Sequence, residues 1–196
     1  MSKTPLSGTD KLWSDLGNLD PTVVCKNTLC RYESGMYVVP FMGGDYLVDP
    51  ADQSVKVPDG HPPGHGELTL LILAYLVDGE ELELGGKWIS EKEVPGGSIF
   101  FTGPHKMPLD PIASRYGSDP GTLLSKAASL GGTALEFGDA SIGFKALPRI
   151  PCAFVLWTED DEFPAEVTVM FDETIPKHLP VDVILALVSS VVKFLV

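Results

Sequence analysis

The chain has 196 residues, 44% of them apolar and 21% charged, with 14 basic against 27 acidic side chains for a net charge of −13. That length supports one substantial core. The negative field repels phosphate backbones and anionic lipid surfaces, which excludes nucleic acid and membranes as expected partners.

The first 16 residues, MSKTPLSGTDKLWSDL, lack the apolar stretch of a signal peptide. The longest apolar run, Leu70 to Val77, is far short of the roughly 20 residues that span a bilayer. The odd cysteine count, Cys25, Cys30 and Cys152, suits a reducing compartment better than a disulfide framework. Together these features predict a cytoplasmic protein.

Thr9 or Asp10 is expected to cap a short helix carrying Trp13 and Leu16. Asp20 and Pro21 start a second helix, as cap and first-turn proline, with Val23, Val24, Leu29 and Tyr32 as its apolar members. On a helix running through both cysteines, Cys25 and Cys30 stand about 140° apart around the axis. They then share no face, which favours buried structural thiols over a common metal. Extended runs at 36–41, 45–48 and 55–57, broken by Gly43-Gly44 and by a polar turn at 49–53, predict a small antiparallel meander.

Residues 58–66, PDGHPPGHG, hold three prolines and three glycines and predict a loop. The helix that follows, Glu67 to Asp78, is apolar around its whole circumference from Leu70 to Val77, the pattern of a rod enclosed by the rest of the domain. A turn at 85–86 leads into an extended segment at 87–90, and a second turn at 94–97 precedes 98–101. Pro111 to Tyr116 predicts a short helix. Asp119 and Pro120 start another, closed by Gly131 and Gly132. Strands are expected around 134–137 and 141–147.

Cys152 to Trp157 is apolar at every position, as in a strand buried on both faces at the centre of a sheet. Glu166 to Phe171 alternates, with Val167, Val169 and Phe171 on one face. Between them Glu159, Asp160, Asp161 and Glu162 form an acidic turn ended by Phe163 and Pro164. Its spacing is not that of a calcium loop, so a solvated hairpin tip is the preferred reading. In Val181 to Val196, Asp182, Ala186, Ser189, Ser190 and Lys193 fall on one helical stripe, predicting an amphipathic helix. The sum is a single-domain α+β protein over 1–196, a mostly antiparallel sheet packed against a buried central helix and a C-terminal helix.

No glycine-rich phosphate loop and no Cys-x-x-Cys occurs, and Ser141 in GDASIG lacks the spacing of a nucleophile elbow. Chemistry then falls to histidines and carboxylates. His65 sits just before the apolar helix, whose positive end keeps an imidazole neutral, as an axial or metal ligand requires. His61 lies four residues earlier, in the same Pro/Gly loop, and His105, in GPHKMP, is the remaining histidine able to join them. Against that stands the plainer reading of loop histidines. His178 precedes the last helix and reads as structural. Asp139, Glu162 and Asp172 flank strand ends, where catalytic carboxylates often sit and where acidic residues also serve solubility.

Trp13 with Leu16, Tyr75-Leu76, Gly86-Lys-Trp-Ile-Ser90 and Gly96-Gly97 form a set of short motifs. It continues with Gly131-Gly132, Gly138-Asp139, Pro148 with Ile150-Pro151, Glu162-Phe-Pro-Ala165 and Phe171-Asp172. On these residues the chain resembles a family of domains of unknown function from anaerobic bacteria and archaea. Some members are fused to the small four-cysteine iron–sulfur module of corrinoid iron–sulfur proteins, and this chain lacks that module. The resemblance implies a non-catalytic accessory or ligand-binding protein of anaerobic one-carbon metabolism. A corrinoid such as cobalamin, or another tetrapyrrole such as haem, would be held by His65, His61 or His105. Two other classes stand beside it: an enzyme using Asp139, Glu162 and Asp172, and an acidic module docking a basic protein partner.

Overall fold

A computed structural model describes residues 8–64 and 66–196. The chain forms α1 (Thr9–Asn18), α2 (Pro21–Thr28), β1 (Arg31–Glu33), β2 (Met36–Phe41), β3 (Gly44–Asp49), β4 (Ser54–Lys56) and α3 (Gly66–Asp78). It continues through β5 (Trp88–Ser90), α4 (Gly97–Phe100), α5 (Asp110–Tyr116), α6 (Pro120–Ser129), β6 (Thr133–Leu135) and β7 (Ala140–Leu147). The last elements are β8 (Ile150–Trp157), β9 (Glu166–Asp172) and α7 (Val181–Leu195). All strand pairings are antiparallel, in a four-stranded sheet ordered β1-β2-β3-β4 and a five-stranded sheet ordered β5-β9-β8-β7-β6. The fold is α+β.

The two sheets are joined by a defect. Between Lys145 and Leu147 the β7–β8 register slips, which takes Ala146 out of the ladder. Its carbonyl instead accepts from the Met42 amide, at 3.0 Å, in the turn between β2 and β3. A bulge thus frees a main-chain group for a contact outside its own sheet.

The all-apolar strand is central, as its composition requires: β8 is the middle of five, and Phe154 and Leu156 are fully buried. In β9, Val167, Val169 and Phe171 face the core while Thr168 and Met170 are half-buried. The rod α3 is enclosed by α1, α2 and α7, with Leu71, Ile72, Leu73 and Tyr75 fully buried. On α7 the outward stripe is thinner than expected. Asp182 and Lys193 are exposed and Ser189 is half-buried, but Ala186 and Ser190 are buried.

Both predicted proline starts are real caps. Asp20 accepts from the Thr22 amide at 2.8 Å, and Asp119 accepts from the Thr122 amide at 3.2 Å and its hydroxyl at 2.5 Å. Elsewhere local expectations are corrected. The first helix already includes Thr9, so neither Thr9 nor Asp10 is its cap. Residues 97–100, at and just after the expected turn, wind into a helical turn.

The second helix stops at Thr28, because Leu29 takes a left-handed conformation (φ 56°) and the chain turns into β1. The expectation that Cys25 and Cys30 point apart assumed a helix continuing through both. With the helix ended, their sulfurs lie 3.4 Å from each other.

Candidate functional site

The three candidate carboxylates serve different local tasks. Asp172 ends β9 and is 5% exposed. One oxygen accepts from the amides of Gly85 and Thr174, each at 3.0 Å, and from the Thr174 hydroxyl at 2.6 Å. The other accepts from the Gly86 amide at 2.8 Å. A Cβ on Gly85 would lie 2.6 Å from the exposed Glu173 side chain, which would have to swing aside. Burial pushes the Asp172 carboxyl up, but the Thr174, Gly85 and Gly86 hydrogen bonds outweigh it and hold the group below its ordinary 3.8. This is an ionised clamp that draws the 85–86 turn onto the end of the sheet.

Asp139 accepts from the Thr158 amide and hydroxyl, both at 2.8 Å, tying the start of β7 to the end of β8. Those two bonds hold its carboxyl below the ordinary range. Glu162 is exposed in the acidic turn, where Asp160 accepts from the Glu162 and Phe163 amides at 2.8 and 2.7 Å. The register separates the three. Ala140 pairs with Leu156 and Trp157 with Glu166, whereas Phe171 pairs with Cys152. Asp139 and Glu162 therefore stand at one end of the sheet and Asp172 at the other, about 20 Å away.

The histidines divide in the same way. His61 is half-buried, with Nδ1 3.0 Å from the Tyr46 hydroxyl. Burial pushes the Tyr46 phenol up to about 12, so the hydroxyl keeps its proton for this contact. The ring packs edge-on to Phe194 at 5.1 Å, and a Cβ on Gly44 would sit 2.3 Å from His61 Cε1 and 2.7 Å from Nε2. The missing side chain of Gly44 is thus the seat of the imidazole. The hollow beside the bend, between Phe41, Pro62, Leu68 and Phe194, is about 10 Å³, the space of one water and far too small for a macrocycle. His65 lies outside the described residues. His178 is 1% exposed; its Nδ1 accepts from the Glu80 amide at 3.3 Å, and burial, followed by the Arg149 charge, lowers its pKa below the ordinary 6.5.

His105 is different. It closes a 3-10 turn, Gly103–His105, is exposed, and lies flat on Phe100 with centroids 4.5 Å apart and planes 3° from parallel. Neither ring nitrogen has a hydrogen-bond partner among the described residues. His61 and His105 are not brought together.

Beside His105 runs the groove that sequence reasoning missed. It holds about 300 Å³ between the 91–110 segment, α5 and the start of β9. Phe101, Met107, Leu109 and Val167 form its apolar floor, and Lys92 and Lys106 stand at its rim. Lys106 reaches Asp110 at 3.1 Å in an exposed ion pair. A second hollow of about 340 Å³ shares Asp110, Ala113 and Ala165 with the first and continues it along α5. The signal available in the sequence was the run His105-Lys106-Met107, three side chains of different chemistry in a proline-bounded loop.

No helix among the described residues is long and apolar enough to cross a membrane. No curated protein matches the chain, and neither does any solved structure. Residues 20–194 match the family described as "Domain of unknown function (DUF3786)", and the chain belongs to that family.

Proposed function

We propose that the protein is a non-catalytic binding module that takes a tetrapyrrole, a corrinoid or a haem, with His105 as the axial ligand. As the sequence resemblance implies, it would act as an accessory of anaerobic one-carbon metabolism. The observation that carries the reading is the free imidazole of His105, held flat on Phe100 and adjoining in the chain Lys106 and Met107, which line a groove with an apolar floor and charged walls that also carry Glu91, Asp110 and Glu166. A group of this kind needs an unpaired nitrogen, an apolar surface for one face and cations for its acidic or amide arms. His105, the floor of Phe101 and Met107, and Lys92 with Lys106 are of those chemical types. The groove is at the small end for ligand sites, so a macrocycle would seat one edge in it and lie across the rim toward His105. His61 is poorly suited, because its ring is occupied by Tyr46, Phe194 and Gly44. Asp139 and Asp172 support a non-catalytic role, since both are committed to main-chain amides as caps and clamps.

The test is an absorption titration of the protein with haemin and with hydroxocobalamin. The wild type is expected to shift the spectrum of one of them, His105→Ala to lose the shift and His61→Ala to keep it. Unchanged spectra with both compounds, or a shift that survives His105→Ala, overturn the proposal.

A further inference from the structure

Two of the three cysteines meet in space. Cys25 is half-buried near the end of α2 and Cys30 is buried at the entry to β1. Their Sγ atoms are 3.4 Å apart. A disulfide needs about 2.05 Å, so bond formation asks for an approach of about 1.4 Å. The turn that brings them together is firmly held. The Tyr75 hydroxyl donates to the Thr28 carbonyl at 2.7 Å, and the Arg149 guanidinium donates to the carbonyls of Asn27 at 2.5 Å and Lys26 at 3.2 Å. The Thr28 hydroxyl lies 2.8 Å from the Val24 carbonyl and 3.1 Å from the Cys30 sulfur and donates within that pair, while the Cys30 thiol is directed at Cys25. The third cysteine, Cys152, is buried in the middle of the five-stranded sheet, opposite Phe144 and Phe171.

We propose that Cys25 and Cys30 form a dithiol–disulfide site that is oxidised by exchange with a low-molecular-weight disulfide. The Cys25 thiolate attacks one sulfur of R–S–S–R, forming a mixed disulfide and releasing R–S⁻. The Cys30 thiolate then attacks the Cys25 sulfur, closing the Cys25–Cys30 bond and expelling the second R–S⁻. The two protons given up by the protein thiols end on the two released thiolates, and two electrons pass from the protein pair to the external disulfide. Access sets the order, because solvent reaches Cys25 while Cys30 is buried behind it. Burial also raises the Cys30 thiol well above its ordinary range, so Cys30 rests as a thiol and acts second. In a reducing compartment such a bond forms transiently, as in redox-sensing proteins.

The experiment uses the full chain with oxidised glutathione as the disulfide, followed by denaturation, alkylation of free thiols and mass spectrometry. Trypsin cuts after Lys26 and Arg31, so Cys25 and Cys30 fall in separate peptides, 12–26 and 27–31. After oxidation the wild type is expected to carry one alkylated thiol in place of three, with peptides 12–26 and 27–31 joined. Cys30→Ser is expected to keep glutathione on Cys25, and Cys25→Ser to leave Cys30 unmodified. Three alkylated thiols after prolonged incubation, a lasting glutathione adduct on wild-type Cys25 beside a free Cys30, or a bond to Cys152 each overturn the proposal. The wild-type measurement decides the matter even where a variant fails to fold.

Discussion

The Tyr75 hydroxyl donates to the carbonyl oxygen of Thr28 at 2.7 Å and accepts from the Arg149 amide at 3.1 Å, linking the central helix to the end of α2 and to the turn between β7 and β8. Burial raises its phenol further above the ordinary 10.0, so the hydroxyl stays protonated. Tyr75→Phe keeps the ring and strands a buried carbonyl and an amide. The expected cost is about 2 kcal/mol, or a fall of about 6 °C in melting temperature. Calorimetry of the two proteins checks it, and an unchanged transition would show that water replaces the hydroxyl.

Asp172→Asn replaces an ionised acceptor of four hydrogen bonds by an amide that turns a donor toward one of them. The expected loss is about 3 kcal/mol at pH 7, measured by urea denaturation. The folded-state pKa lies below 3.8, so this stabilisation is complete above that value and disappears as pH falls through the folded-state pKa. Wild type and variant therefore converge in strongly acid solution. A gap that persists there would mean the clamp works by shape and not by charge.

His178 titrates in a different window. Its folded-state pKa is lowered from 6.5 by burial, so the unfolded chain takes up a proton first as the solution is acidified. Stability is then complete above pH 6.5 and falls as pH drops from 6.5 toward the folded-state value. His178→Asn removes this dependence, and urea midpoints at pH 7.5 and 5.5 should differ less in the variant than in the wild type. Parallel falls in the two proteins would assign the acid sensitivity elsewhere.

Gly44→Ala sets a methyl against the imidazole of His61, whose Cε1 lies 2.3 Å from the new Cβ, and against Pro58 Cγ at 2.9 Å. The proline-rich bend must shift as a unit. Overpacking of this kind costs about 1–3 kcal/mol. The His61 ring resonances should also move as the Tyr46 contact at 3.0 Å is lost. Unmoved resonances would show that the backbone of β3 yields instead.

Much of the architecture was legible because it rests on short-range rules. Asp20 and Asp119 cap helices because each lies next to a proline and reaches an amide two or three residues on. The burial of β8 follows from apolar residues on both of its faces, and β9 shows its core face by alternation. The enclosed rod α3 follows from the absence of a polar stripe. Each pattern is set by neighbours within about one turn or one pleat, so a linear reading recovers it.

The candidate sites rest on partners that are distant in the chain. Leu29 ends α2 where Tyr75 and Arg149, the first 47 residues beyond Thr28 and the second 122 beyond Asn27, take up the last carbonyls of the helix. A reading that let the helix continue turned Cys25 away from Cys30. Asp172 looked like a candidate acid until Gly85 and Gly86 arrived from 87 and 86 residues away to occupy it. The groove beside His105 exists only because α5 lies across β9. The sequence by itself determined the middle of most helices and strands, because propensity and periodicity are local, but not where each one ends. The tertiary structure decided which polar groups are occupied and which remain open to a ligand, because hydrogen bonds and cavities depend on segments that meet only after the chain has folded.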